Sequence, residues 1–383
     1  MKSIRRNSIA LLALISINYT QVSSYQLYGF ITDSTSGEAL IGANVFIRET
    51  GQGMATDNNG YYVLSNISIK SAKLIVSYVG YEKFERLIDF SASASQNINI
   101  SLNPESIELM QVDVTAEEIE RLNKIEPSRV NLSPRILKSQ PSLAEPDIFR
   151  TIQSLPGVLT TSEFSTGLVI RGGNTDQNLI LLDGITVYNP SHLGGLFSNF
   201  IVDAVKDAEL IKGGYNAEYG GRLSAVLDIR SREGNRNKIE GSSSVSLLTA
   251  QSTIEGPIPG GAFLVAGRRT YFDLVLPKVL PDNIATNVPP YYFYDVQGHI
   301  FSDINSKDRL SLSYYTGIDD IVFDTFGLDG RWGNTTISGH WRRVFSERLV
   351  GNFLAANSNF RTMFGLGGDG GLVNLSLIHI SEP

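Results

Sequence analysis
The sequence predicts a mainly β chain in three parts: an N-terminal β-sandwich, a central α+β unit, and the first strands of a transmembrane β-barrel. Three observations predict it. The 383 residues include 36 Gly and 16 Tyr with 42% hydrophobic residues, a balance that suits turn-rich β structure better than a helical bundle. Short β-rich runs separated by turn residues fill the first hundred positions. Beyond Lys238 longer runs alternate apolar and polar side chains at period two.

Composition closes off other classes. The net charge is −7 and the sequence pI about 5.3, which argues against a basic nucleic-acid footprint. Mean hydropathy is −0.03, and no run after the N-terminus reaches the ~18–20 apolar residues of a spanning helix. There is no cysteine, so disulfides, Cys-ligated zinc, iron–sulfur clusters and Cys nucleophiles are excluded. Cysteine absence is compatible with the periplasm, where disulfides are permitted and not obligatory.

Residues 1–24 read as a secretory signal peptide. Lys2, Arg5 and Arg6 precede the apolar Ile9–Ile17, and Val22 and Ser24 suit the −3 and −1 cleavage positions. Cleavage after Ser24 leaves Tyr25 as the mature start.

Residues 25–103 read as a sandwich of roughly seven strands. The runs are Leu27–Thr32, Ala43–Arg48, Tyr61–Leu64, Lys73–Tyr78 and Asn97–Leu102, punctuated by Ser36-Gly37, Gly51-Gln52-Gly53 and Asn59-Gly60. Asp57-Asn58-Asn59-Gly60 has a calcium-loop flavour, but the position of the bidentate Glu is Ser68, so a turn is the expectation. Leu27-Tyr-Gly-Phe-Ile-Thr-Asp33, Gly37-Glu-Ala-Leu-Ile-Gly-Ala-Asn-Val45, Ala55-Thr-Asp-Asn-Asn-Gly-Tyr61 and Ser77-Tyr-Val-Gly-Tyr81 together resemble the carboxypeptidase regulatory-like domain. The resemblance implies a transthyretin-like, non-catalytic module. The zinc protease domain has no counterpart: there are four His and no H-E-x-x-H.

Residues 130–233 carry mixed short elements, which suggest a compact α+β unit. Asp147–Gln153 is predicted as a short helix ended by Pro156-Gly157, and a second is predicted near Val202–Asp207. Glycines at 172–173, 213–214 and 220–221 permit tight turns and close backbone approach. No phosphate-loop pattern is present. Asp183 before Gly184 reads as a turn rather than a catalytic acid. Arg171-Gly172-Gly173, Leu181-Leu-Asp183-Gly184, Glu209-Leu-Ile-Lys212-Gly213 and Tyr219-Gly220-Gly-Arg222 stand in an order and spacing that resemble the plug domain of TonB-dependent outer-membrane receptors. Val187-Tyr-Asn-Pro-Ser-His-Leu193 and Leu196-Phe-Ser-Asn-Phe200 resemble the subgroup that also carries the sandwich domain. Arg171 and Arg222, beside small neighbours, are expected to reach carboxylates such as Glu209 or Glu218, or acids of the barrel wall.

The acidic stretch 104–129 reads as a linker. Val112, Asp113, Val114, Thr115 and Ala116 lie in it as an extended segment able to add a strand to a partner's sheet edge. Its position before the plug resembles that of a TonB box. A final sandwich strand or an ordinary linker is the alternative.

Residues 234–374 read as the N-terminal part of a barrel. Candidate strands are Gly241–Ile254, Ala262–Leu274, Tyr292–Ile304, Arg309–Thr316, Thr335–Phe345 and Arg348–Asn357, with Tyr291, Tyr292, Phe293 and Tyr294 placed as an aromatic girdle. Six or seven strands cannot close a plugged barrel of ~22 strands, and an open edge is not tolerated in lipid, so the barrel reads as truncated. Residues 375–383 break the pattern and look like translated sequencing adaptor. His192, His299 and His340 lie in unrelated contexts and read as structural.

What the resemblance implies is a receptor that takes a scarce solute into the periplasm, energised through TonB and its inner-membrane partners. It implies neither enzymatic activity nor a cofactor or metal. The implied surroundings are outer-membrane lipid, an unidentified solute and a surface lipoprotein partner, without nucleic acid. The alternative is a surface-binding or signalling receptor that does not transport.

Overall fold
In the computed structural model the described residues are 24–57, 59–91, 93–105, 129–132, 134–139, 145–162, 165–217, 219–281, 290–305, 307–323, 328–346, 349–366 and 377–380. The signal peptide up to residue 23, the candidate TonB box and Glu218 lie outside them. The chain divides into two units, residues 1–109 and 110–383.

The first unit is a sandwich of eight strands. One sheet holds β1 (Tyr25–Asp33), β4 (Tyr61–Ile67), β7 (Ser95–Asn97) and β8 (Ile100–Leu102). The other runs β3 (Gly53–Ala55), β2 (Asn44–Ile47), β5 (Ser71–Ser77) and β6 (Phe84–Asp89). Four of the five anticipated runs are single strands, and the fifth, Asn97–Leu102, divides between the end of β7 and β8. The two short ones that complete the second sheet, β3 and β6, escape the sequence reading because they are partly or largely exposed and carry little apolar alternation. Inward-facing Leu27, Ile31, Val45, Ile47, Leu74 and Val76 form the core. Tyr62 is fully buried, and its hydroxyl donates to the Ile98 carbonyl at 2.8 Å, so the phenol brings no unpaired polar atom into that core. Asp57 is a turn residue: its Oδ1 accepts from the Asn59 and Tyr61 amides at 2.8 and 2.9 Å.

The central part of the second unit is a five-stranded sheet in the order β13 (Ile185–Thr186), β12 (Leu179–Leu182), β17 (Val226–Ser231), β16 (Val205–Ile211), β9 (Arg129–Leu132). β12 and β17 are parallel and the other pairs antiparallel. Two small hairpins lie in the connections of this sheet, β10 (Val158–Thr160) with β11 (Leu168–Ile170) and β14 (Ser191–His192) with β15 (Phe197–Ser198). Helices α1 (Pro134–Ser139) and α2 (Ile148–Gln153) supply Leu137, Ile148, Phe149 and Ile152 to a core shared with Ala208, Leu210, Leu227 and Ile229 of the sheet. Asp147 caps α2, accepting from the Phe149 and Arg150 amides. The helix expected near Val202–Asp207 is instead a 3-10 turn, Val202–Ala204, followed by β16. In β16 Ala208 and Leu210 face the helices while Asp207 and Glu209 face an arginine on the other side, a period of two that no helix satisfies.

The remaining strands form an eight-stranded antiparallel meander: β18 (Glu240–Val245), β19 (Thr249–Ile258), β20 (Gly261–Thr270), β21 (Tyr291–Asp303), β22 (Asp308–Phe323), β23 (Leu328–Ser346), β24 (Leu349–Leu366) and β25 (Leu377–Ile380). The run expected over Gly241–Ile254 is two strands. Ser246 Oγ accepts from the Leu248 and Thr249 amides and reverses the chain there. The run expected to Leu274 stops at Thr270, where α3 (Phe272–Val279) begins. β25 falls in the segment expected to stand outside the fold, and its backbone pairs with β24. The aromatic run divides by parity. Tyr291 and Phe293 are buried against the plug-like core, and Tyr292 and Tyr294 lie on the opposite face. That outer face carries exposed Val296, Ile300, Leu310, Leu312, Ile337, Trp341 and Phe353.

Two expectations follow for the sandwich. A fragment of residues 25–105 should give a dispersed amide spectrum of β type without added metal; a collapsed spectrum would contradict it. A Cβ on Gly29 would lie 2.0 Å from the Ile98 carbonyl oxygen. Gly29→Ala should therefore destabilise the fragment by about 1–3 kcal/mol in urea unfolding, and an unchanged midpoint would refute the close approach.

Candidate functional site
The densest polar network among the described residues joins the inward face of the barrel strands to the plug-like core. His192 sits in a short hairpin, Ser191–His192 against Phe197–Ser198. Its ring is completely buried between two carboxylates, with Nδ1 2.8 Å from Asp319 Oδ2 and Nε2 2.9 Å from Asp295 Oδ1. The ring stacks on Phe293 at 4.1 Å between centroids. Asp319 also accepts from the Leu193 amide at 3.1 Å and from the Tyr291 hydroxyl.

Asp295 serves a second cation. Arg268 donates to Asp295 Oδ2 through Nε at 2.9 Å and Nη2 at 2.6 Å, to Glu145 through Nη1 at 2.7 Å, and to the Ser198 carbonyl at 2.7 Å. The Tyr315 hydroxyl completes Asp295 at 3.0 Å, and Thr249 donates to Glu145. Strand parity places these groups together. Asp295 follows Tyr291 and Phe293 on the inward face, as Asp319 follows Tyr315. Gly317 lies between the last two, and a Cβ there would meet the Tyr315 hydroxyl at 2.1 Å and Asp295 Oδ1 at 2.5 Å. A side chain at 317 would occupy the space the network uses.

Burial alone would push the His192 imidazole towards its neutral form. Asp295 and Asp319 outweigh it and hold the pKa above the ordinary histidine value. Polar attachments continue along the strands. His340 reaches the Asp183 carbonyl at 3.2 Å, Ser358 donates to the Thr186 carbonyl, and Gln297 donates to Ser231. Arg232 donates through Nη2 to both carboxylate oxygens of Glu255 at 2.8 Å, and Arg309 bridges Glu233 and Asp303.

The sequence-selected residues occupy the two ends of the plug-like sheet. At one end Arg171 and Gly172 have positive φ and are exposed, and the Arg171 guanidinium lies against Gly213. A Cβ on Gly173 would strike Ser224 Oγ, itself bonded to the Ile170 carbonyl, so this end is a close backbone approach. Lys212 donates to the Pro156 carbonyl, Tyr219 packs beside Leu179 and Val226, and Arg222, next to Gly220-Gly221, donates to the Gly221 carbonyl. At the other end Asp183 and Gly184 form a hairpin turn with φ of 52° and 79°, and the Asp183 carboxylate accepts from the Ser231 amide and hydroxyl.

The expected pairing of Glu209 with Arg171 or Arg222 is not what forms. Glu209 is bound by Arg129 and Arg230, and Arg230 also holds Asp207 and Asp228. The registers of β9, β16 and β17 put these side chains on one sheet face, which local sequence does not reveal. Burial pushes the Asp228 carboxyl up to about 6 against the opposing pull of Arg230. Sequence reasoning also missed Glu145, His192, Arg268, Asp295 and Asp319. The available signal was an acid at an inward position of a barrel strand, legible only once strand parity is known.

Removing His192 would leave two buried carboxylates facing each other. His192→Ala in the full-length protein should weaken attachment of the core to the strands by ~3–5 kcal/mol, read as new conductance in planar bilayers. Parent-like conductance would show that the ring is dispensable. The His192 pKa is raised in the fold, so its stabilisation is complete below the unfolded value near ~6.5 and is lost as pH rises through the folded value. Attachment should weaken on alkalinisation in the parent, and that dependence should vanish in His192→Ala.

Residues 27–114 match the family model of the CarboxypepD_reg-like domain, and residues 133–226 that of the TonB-dependent receptor plug domain. TonB-dependent receptor P26 of Formosa agariphila is 27% identical over 219 residues, 53% of this chain and 20% of that protein. Among solved structures, the siderophore receptor PirA of Pseudomonas aeruginosa aligns at 16% identity and TM-score 0.46, over 62% of this chain and 41% of the receptor. The outer membrane transporter YddB of Escherichia coli aligns at 13% identity and TM-score 0.46, over 66% and 42%. The chain thus spans about a fifth of the curated relative and two fifths of the solved ones. The chain carries a CarboxypepD_reg-like domain followed by a TonB-dependent receptor plug domain, and it is similar over 219 residues to a TonB-dependent receptor.

Proposed function
We propose that the full-length protein is an outer-membrane receptor that carries a scarce solute into the periplasm, with the energy delivered by TonB. The observation that carries the reading is the form of the plug attachment: a network of charged and hydrogen-bonded groups, beside two small apolar clusters, holds the plug to the barrel strands. Water entering such an interface can replace its hydrogen bonds as the plug is pulled, whereas an apolar seam would have to be exposed. The plug then rearranges and opens a path, with no covalent step on the solute.

Val112–Ala116 is the segment on which TonB would act, by adding a strand through backbone hydrogen bonds. The sandwich would lie in the periplasm after removal of residues 1–24. Lipid would surround the apolar outer face of β20–β24, and a surface lipoprotein would be the solute-delivering partner.

Proline removes a backbone donor and fixes φ. Val112→Pro and Val114→Pro in the full-length receptor should each weaken binding to the C-terminal domain of TonB at least tenfold by calorimetry, with outer-membrane levels unchanged. Parent-like affinity in both would move the contact elsewhere. Absence of any TonB binding by the parent would favour a surface-binding or signalling receptor without transport.

A further inference from the structure
We infer that Arg343 and the aromatic rings around it form a site on the outer wall of the barrel strands that retains one zwitterionic phospholipid, with the lipid phosphate on the Arg343 guanidinium. The site rests on the outer-membrane placement proposed above and is a particular lipid contact within it. Strand parity builds it. Arg309 and Arg342 pair across β22 and β23 and are buried on the inner side. Their neighbours Asp308, Leu310, Trp341 and Arg343 therefore stand on the outer side. Phe353 of β24 pairs with Trp341 there. The rings of Trp341 and Phe353 stack at 5.0 Å between centroids, and Phe345 meets Phe353 edge-on at 6.4 Å. A Cβ on Gly351 would lie 2.8 Å from the Phe345 ring and 3.0 Å from the Phe353 ring, so this glycine leaves the room in which they meet. All three rings are exposed.

Arg343 is held in place beside them. Its guanidinium lies 5.5 Å from the centre of the Phe345 ring and 5.9 Å from that of Trp341, and its Nη1 is 3.4 Å from Asp308 Oδ1. The same carboxylate oxygen accepts from Trp341 Nε1 at 2.9 Å, and Asp308 Oδ2 accepts from the Asn305 side-chain nitrogen at 3.0 Å. Asp308 thus fixes the cation and the indole together, and the turn fixes Asp308. The Arg343 side chain is nevertheless 43% exposed, which leaves donor surface for a ligand. A planar guanidinium fork matches the geometry of a phosphate.

The cation also stands at the edge of an uncharged span. From Arg343 the outward positions of β23 run through Trp341, Gly339, Ile337, Thr335 and Gly333 before the next charge, Arg331, twelve positions away. Twelve residues at ~3.4 Å each, tilted by ~40°, cover about 30 Å along the membrane normal, the thickness of a bilayer's hydrocarbon core. Arg343 is therefore at the level of head-group phosphates, and Trp341, Phe353 and Leu310 begin the stretch that acyl chains would cover. One guanidinium with one carboxylate beside it suits a head group that carries one phosphate and one ammonium. A polyanion such as lipid A would meet Asp308 as repulsion.

The test is native mass spectrometry of the purified full-length receptor, stripped of lipid in detergent and titrated with dioleoyl-phosphatidylethanolamine. A single copy should saturate first. Arg343→Ala should weaken its retention at least tenfold, and Arg331→Ala, at the far edge of the uncharged span, should leave it unchanged. The heat-modifiable gel shift checks that both variants are folded. Dioleoylglycerol, which lacks the phosphate, should bind at least tenfold more weakly, and millimolar inorganic phosphate, which lacks the chains, should not displace the lipid. An equal loss in Arg331→Ala would mean a general lipid coat and would overturn the inference. So would parent-like retention in Arg343→Ala, equal binding of dioleoylglycerol, displacement by phosphate, or tighter retention of lipid A at the same site. Absence of the receptor from the outer-membrane fraction of cells would overturn the placement instead, a result distinct from any of these titrations in detergent.

Discussion
Asp295 is the charge on which the plug–barrel junction turns. A carboxylate without solvent survives only if its oxygens are matched by cations and donors, because the desolvation penalty is several kcal/mol per ion. Asp295 is matched by His192 from the plug, Arg268 from the neighbouring strand and the Tyr315 hydroxyl. The demands spread outward from there. Arg268 must in turn be balanced by Glu145, His192 by Asp319, and Gly317 must remain without a side chain so that the three groups fit. Phe293 supports the His192 ring from one face, fixing its orientation as well as its charge.

The same groups tie the junction to the plug's interior. Ser198, whose carbonyl takes an Arg268 donor, offers its amide to Asp147 Oδ2, and Asp147 Oδ1 caps α2. Helix α2 packs Ile148, Phe149 and Ile152 onto the central sheet. Displacing the His192 hairpin from the strands thus bears on the helix cap and the core beneath it. Further contacts at other heights include the buried Arg309–Glu233 pair and the more exposed Arg232–Glu255 and His340–Asp183 contacts, of which the exposed ones are individually worth less. The attachment thus combines buried polar clusters with more exposed contacts along the strands.

The outer and inner faces of the strands obey opposite chemistry. Leu310, Leu312 and Ile337 are exposed on one face, where only lipid would make them favourable, while Arg309, Ser313 and Thr336 are buried on the other. This is the reverse of a soluble sandwich, where the face turned to the core is apolar. The N-terminal sandwich shows the ordinary pattern, with Leu27, Val45 and Leu74 inside. One chain therefore contains β-sheets built for two solvents.

Much of the architecture was legible in the amino-acid order. Four of the sandwich runs, the short helix read over Asp147–Gln153, the Asp57 and Asp183 turns and the onset of the barrel all depend on neighbours within a few positions. Periodicity, turn chemistry and capping are local, so sequence carries them. The ordered glycine, Asp-Gly and Gly-Gly-Arg motifs carried the plug for the same reason. The junction was decided only in three dimensions. His192 read as one histidine among unrelated neighbours, yet its partners lie 103 and 127 positions away on two barrel strands. Glu209 read as a candidate partner of Arg171 or Arg222, but register gave it Arg129 and Arg230. Strand boundaries near Val245 and Thr270 shifted because a serine-directed turn and a short helix override alternation. Charge pairing in a buried interface is set by which strand faces are brought together, and that is a property of the folded sheet, not of the chain's local pattern.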